Sequence, residues 1–143
     1  MKILAIELTN EDAADIVHGA VEGGTGYWAE VRNYNWSSWY EKDPNKSTHE
    51  YTAERIRLDL PDDFVFVEIR EDDEQVEPER VNNTWMQLTR KNLEKGVIAL
   101  IENMPHLIYG TSHRGKGDIE FDFDATSCDV IVQYALFGEV IYG

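Results

Sequence analysis

A single cysteine, Cys128, leaves this 143-residue chain unable to form an internal disulfide, so the stapled framework of a small secreted domain is excluded. Long apolar runs are missing too. None approaches the roughly 18 residues of a membrane span, and the apolar stretch before the first acids, at the N-terminus, is too short for a signal-peptide core. The expectation is a soluble, cytoplasmic protein. Positive charge is scarce: 13 lysines and arginines face 28 aspartates and glutamates, for a net charge of −15. Nucleic-acid binding relies on neutralising phosphates with Lys and Arg, so direct binding is not expected, and an anionic membrane surface repels the chain as well. The attraction left is to something basic. Catalytic and metal signatures are absent from the sequence. His18, His49, His106 and His113 share no ligand spacing, Cys128 has no nearby histidine, and no nucleophile, base and orienting group stand together. Gly23-Gly24-x-Gly26 follows a helical pattern instead of a strand, so it is not a dinucleotide fingerprint. No metal and no cofactor are expected, and an enzyme with a carboxylate or metal-dependent site is the least supported of the readings the sequence allows.

What the chain does have is enough apolar material for one core, 42% of its residues with sixteen aromatics, and no repeat or linker that would divide residues 1–143 into two domains. Thr9 or Asn10 supplies an N-cap oxygen ahead of Glu11 and Asp12, and Ala13, Ile16, Val17, Ala20 and Val21 follow helical spacing up to Gly23-Gly24. Thr89 opens a second helix over 90–103 on the stripe Leu93, Val97, Leu100 and Ile101, weakened by Gly96 and ended by Pro105. Asp124 or Thr126 opens a third, running to Phe137 and closed by Gly138. Strands are expected at 3–8, 26–36, 50–58, 64–70 and 84–88, with 50–58 and 64–70 joined as a hairpin across Asp59–Asp63. Residues 71–79 and 110–117 read as loops, the latter with the only basic patch of the second half. The sum is a single α+β domain: an antiparallel sheet of about four to five strands with about three helices.

The charge is concentrated. From Asp59 to Glu79 ten acids meet one base, Arg70; Asp59, Asp62, Asp63, Glu71, Asp72, Asp73 and Glu74 are the candidate partner-binding set there. The plainer reading is a hairpin end and a solubilising loop. In Asp118, Glu120, Asp122 and Asp124 every second residue is a carboxylate, which on a strand puts four of them on one face about 6.6–6.8 Å apart, near the spacing of phosphates along a nucleic-acid strand. An ordinary amphipathic strand with a solvated acidic face explains the same pattern. The run is no EF-hand, because Phe123 stands where the loop needs glycine and Asp129 where it needs glutamate. The aromatics Tyr27, Trp28, Tyr34, Trp36, Trp39 and Tyr40 suit core and strand pairing. Trp36 and Trp39, flanking Ser37-Ser38, are candidates for stacking a nucleotide, with Arg114 and Lys116 on its phosphate.

Two clusters carry a resemblance. Glu22-Gly23-Gly24-Thr25-Gly26-Tyr27-Trp28, and the tail with Asp129, Gln133, Phe137-Gly138-Glu139 and Tyr142-Gly143, resemble a group of small bacteriophage- and prophage-encoded proteins bearing EGG-x-x-YW and D-x-x-x-Q-x-x-x-FGE-x-x-YG elements. The resemblance covers about a fifth of the chain; it implies a phage origin and a role inside the infected cell, and brings no reaction with it. If the two clusters pack together, Glu22, Asp129, Gln133 and Glu139 would share a polar pocket; helix caps and a glutamine satisfying backbone are the structural alternative. The expected function is that of an acidic inhibitor that imitates DNA and occupies the basic surface of a host defence protein. The alternative is a binder that sequesters a nucleotide immune signal. The sequence leaves the oligomeric state open, a homodimer included.

Overall fold

Helix α1 (Asn10–Gly19) begins where the sequence puts it: Thr9 accepts from the amide of Asp12 at 3.0 Å, and the Asp12 carboxylate accepts from Thr9 N at 3.1 Å. Helix α2 (Arg90–Asn103) repeats the device with Thr89 and Asn92. Helix α3 (Ala125–Phe137) is capped by Asp124, which accepts from Ser127 N at 2.7 Å, and is closed by Gly138 in the left-handed region, φ 74°. The structure, a computed structural model, describes residues 6–72, 84–107, 109–114 and 118–143. It is an α+β fold, and no helix among the described residues is long and apolar enough to cross a membrane.

Helix α3 is the centre. Its seven consecutive residues from Ser127 to Gln133 are all buried, as expected of a helix enclosed by neighbours on every side. Both other helices pack on it, and α2 does so without a side chain in the way: a Cβ on Gly96 would overlap the carbonyl oxygen of Ile131. The glycine that weakens the α2 sequence pattern is what lets the two helices touch.

Past α1 the chain does not stop at Gly23-Gly24. It widens into a π-turn over Ala20–Gly24, in which the amide of Thr25 donates to the carbonyl of Ala20, five residues back, at 2.8 Å. The turn lies against the start of α3, where a Cβ on Gly24 would come within 2.5 Å of the Ala125 carbonyl oxygen.

Among the described residues the strands are β1 (Ala29–Arg32), β2 (Tyr40–Lys42), β3 (Glu54–Ile56), β4 (Val65–Glu71), β5 (Met86–Thr89), β6 (Tyr109–Arg114) and β7 (Asp118–Asp122). Pairing is antiparallel throughout: β1-β4-β5 form one sheet, β2-β3 a second and β6-β7 a third. The expected hairpin of 50–58 with 64–70 does not form. Strand β3 pairs with β2, which the sequence pattern did not reveal, and β4 lies between β1 and β5. Nor is 110–117 simply a loop, since Tyr109–Arg114 pairs with β7. Of the expected strand 3–8, residues 1–5 lie outside the described residues, and Ile6 to Thr9 form no regular element.

Register explains the faces of β4. A shift in its pairing between Val65 and Val67 lets Phe66 and Val67 both be buried, after which alternation resumes with Ile69 and Glu71 inward and Glu68 and Arg70 outward. On the outward face Arg32 pairs with Glu68 at 3.2 Å and Arg70 with Glu30 at 3.0 Å, and both guanidinium groups lie over the Trp85 ring, 4.2 and 4.5 Å from its centroid.

Candidate functional site

The acidic segment from Asp59 onward is a weaker field in space than in sequence. Asp59 is held by Arg57 through two bonds of 3.0 and 2.8 Å, which keep its carboxyl below the usual carboxylate range. Glu68 is likewise lowered, by Arg32 and Asn33. Glu71 is only 5% exposed and takes the hydroxyl of Tyr142, so inward parity removes it from any docking surface. Asp62 and Asp63 remain exposed in the turn before β4, and Asp72, half-buried, donates its amide to Trp28 O at 2.8 Å. Asp73 and Glu74 lie outside the described residues. In the second run Asp118, Glu120 and Asp122 occupy alternate positions of β7, opposite Arg114, Ser112 and Tyr109 of β6. Asp124 leaves that ladder: the strand ends at Asp122 and Asp124 caps α3.

A different acidic face is assembled by the fold. Glu11, Asp15, His18 and Glu22 follow one another at intervals of four, three and four along α1 and its π-turn, which puts them on one stripe. Over this stripe lie the aromatics of the 3-10 turn Trp36–Trp39 and of β2. The His18 ring is bonded on both sides, Nδ1 to the Tyr34 hydroxyl at 2.5 Å and Nε2 to that of Tyr40 at 3.0 Å. A neutral imidazole does this by donating to one and accepting from the other. Trp36 stands edge-on to His18 and Tyr40 and is 49% exposed. Burial raises the Tyr40 hydroxyl, and so do the surrounding carboxylates Asp15, Glu11, Glu22 and Glu54; burial and Glu22 push Tyr34 to about 12. Partial desolvation, with Glu11 and Asp12 close by, pushes Asp15 up to about 6. The stripe was readable from helical spacing; its aromatic cover was not, because it comes from a loop, a 3-10 turn and β2, which only the tertiary fold brings over the helix.

Trp39 cannot stack a ligand. It is 1% exposed, edge-on to Phe66 with centroids 5.0 Å apart. Of the other residues offered for a nucleotide, Trp36 is exposed on the acidic face, Arg114 sits in β6 and Lys116 lies outside the described residues. A cleft of about 650 Å³ gathers Lys46, Arg55 and Arg90, yet Glu7, Glu11 and Asp43 line it too and cancel the charge an anionic ligand would need. Cys128 is buried, and desolvation followed by Asp124, Asp15 and Asp129 pushes its thiol up to about 12, so it offers no nucleophile. Among the described residues no group of three or more His, Cys, Asp or Glu could hold a metal.

The cluster Glu22–Trp28 and the tail from Asp129 to Gly143 do meet. Asp129, on α3, accepts from the Tyr27 hydroxyl at 2.6 Å, from Trp28 Nε1 at 2.8 Å and from Gln133 Nε2 at 3.0 Å. Gln133 also holds the tail: its Oε1 accepts from the amides of Ile141 and Tyr142, each at 2.8 Å, and its Nε2 donates to Tyr142 O at 3.1 Å. The Tyr142 ring then stacks on Trp28, centroids 5.2 Å apart. Glu22 and Glu139 are exposed and take no part. Sequence reasoning named Asp129 and Gln133 but missed Tyr27 and Trp28 as their partners. No protein-family model matches the chain, and no curated protein or solved structure matches it.

Proposed function

We propose that this chain is a non-enzymatic, acidic interaction protein that occupies a basic, nucleic-acid-binding surface of another protein, its carboxylates standing where phosphates would. The observation that carries the reading is the face of α1. Glu11, Asp15, Glu22 and Glu54 all act on the Tyr40 hydroxyl, and Trp36, half-exposed, stands edge-on to Tyr40 and His18, while the arginines of the sheet, Arg32 and Arg70, are engaged elsewhere. An exposed Trp on a face that carries these carboxylates suits a partner rich in Lys and Arg: the ring gives an anchor and a cation–π surface worth about 0.5–2 kcal/mol per contact, and the carboxylates steer association. The phage resemblance makes a host defence protein the natural target. A nucleotide-sequestering role has less support, since Trp39 is buried and the cleft holding Arg90 is charge-balanced.

The test is competition. The tagged chain, incubated with bacterial lysate at 0.05 and 0.5 M NaCl, should capture a nucleic-acid-binding protein at the lower salt only, and the purified chain should displace DNA from it. Asp15→Lys with Glu22→Lys, and separately Trp36→Ala, should each weaken displacement at least ten-fold. Displacement unchanged in both variants, or a complex indifferent to salt, would sink the reading.

A further inference from the structure

The exposed carboxylates leave one buried anion unexplained. Asp129 is 7% exposed, and its three neighbours are a phenol, an indole and an amide, all neutral. All three donate to it, an arrangement suited to a carboxylate, which only accepts when ionised. Burying such a charge without an opposite one is costly even when hydrogen bonds surround it. No ion pair involves Asp129 among the described residues.

Asp129 also borders a space. An open cleft of about 520 Å³ has Asp129 in its wall together with Tyr27 and Tyr142 and the apolar residues Met104, Val130 and Val140, and no Lys, Arg or His lines it. Its volume falls in the range of small-ligand sites. The walls are fixed by other bonds: Gln133 pins the tail that supplies Val140 and Tyr142, and Gly24 lets the π-turn close against α3. One buried carboxylate among aromatic rings and aliphatic groups is the recognition chemistry of an organic cation, with the rings stabilising the charge and the carboxylate orienting it.

We infer that the cleft beside Asp129 binds an ammonium or guanidinium group. The cation lies against the Tyr27 and Tyr142 rings and completes Asp129 electrostatically, while the molecule's −15 charge concentrates cations around the entrance. This is a separate site from the face of α1, and it stands even if that face has no partner. The group can belong to a free amine or to the side chain of a docked protein; the chemistry is the same.

The experiment is an NMR titration of the full chain with agmatine, read at the Trp28 indole N–H, which is bonded to Asp129. Saturable movement of that resonance with agmatine, and none with NaCl at matched ionic strength, is expected. Asp129→Asn should weaken the effect at least ten-fold. Because that variant can disturb the fold, Met104→Trp serves beside it, filling the cleft from its rim while leaving the Asp129 bonds in place, and it too should weaken binding at least ten-fold. A Gly-Arg-Gly peptide in place of agmatine separates the sources: movement of the Trp28 signal assigns the cleft to protein side chains, and its absence, with agmatine active, to free amines. Equal movement with NaCl, movement confined to the Trp36 indole, or unchanged affinity in Met104→Trp overturns the inference.

Discussion

At Gly96 two effects of similar origin oppose each other. Alanine there would raise intrinsic helix propensity by about 1 kcal/mol, yet its methyl group would meet the backbone of Ile131, which cannot swing aside as a side-chain tip can. Overpacking of this sort costs about 1–3 kcal/mol, and against a carbonyl the upper end applies, so Gly96→Ala should destabilise the protein by about 2 kcal/mol. Urea denaturation checks it; a midpoint equal to or above that of the native sequence means α2 and α3 do not touch there. The residue scale is also where sequence reading went furthest and where it misjudged. Thr9, Thr89, Asp124 and Gly138 do what their types and positions imply, because capping is local chemistry. The same locality misled on charge: Asp59 and Glu71 look like equal members of an acidic run, yet one is tied to Arg57 and the other turned inward by strand parity.

The helices were legible in the sequence because the spacing that marks them is confined to a dozen residues. The strands were half legible: segments near β1, β4 and β5 carry the right composition, but which strand pairs with which is a long-range outcome. Being apolar on both sides at its start, β4 gave no parity signal to choose between an edge with β3 and a place between β1 and β5. The tail from Val140 to Tyr142 has no regular element at all and depends on Gln133 for its place. Gln133→Leu, similar in volume, removes the acceptor for two amides and a donor to Asp129, and should cost at least about 3 kcal/mol since each of these three groups left unsatisfied is worth about 1–3 kcal/mol. Hydrogen exchange gives the sharper readout: the amides of Ile141 and Tyr142 should lose protection while those of α2 keep it. Retained protection would show the tail to be held by ring stacking alone.

Across the whole molecule, self-repulsion should set the response to salt and acid. Raising NaCl from 0.1 to 1 M shortens the screening length from about 10 to 3 Å, so the melting temperature should rise by several degrees. Acid should act in the same direction within a limited window. Asp15, raised to about 6 from an ordinary value of 3.8, binds its proton more tightly in the folded state; that contribution is complete below pH 4 and is lost as pH rises through 6. Asp59 and Glu68, whose pKa values are lowered, oppose this only nearer pH 4 and below. Melting at pH 5.5 should therefore exceed melting at pH 7.5 in the same low-salt buffer, and Asp15→Asn should narrow the gap. A gap left untouched by Asp15→Asn assigns the effect to other carboxylates.

The π-turn between α1 and β1 makes chain length a structural quantity in its own right. In an ordinary α-helix each residue advances the direction of the chain by about 100°; a five-residue spacing absorbs one residue more than the regular turn would. Tyr27 and Trp28 both reach Asp129 because the count of residues between α1 and that pair suits the wider turn. Glu22 and Gly26 are exposed and open to exchange, but an added or missing codon between 20 and 26 would turn both rings away from α3. This stretch is a spacer measured in residues.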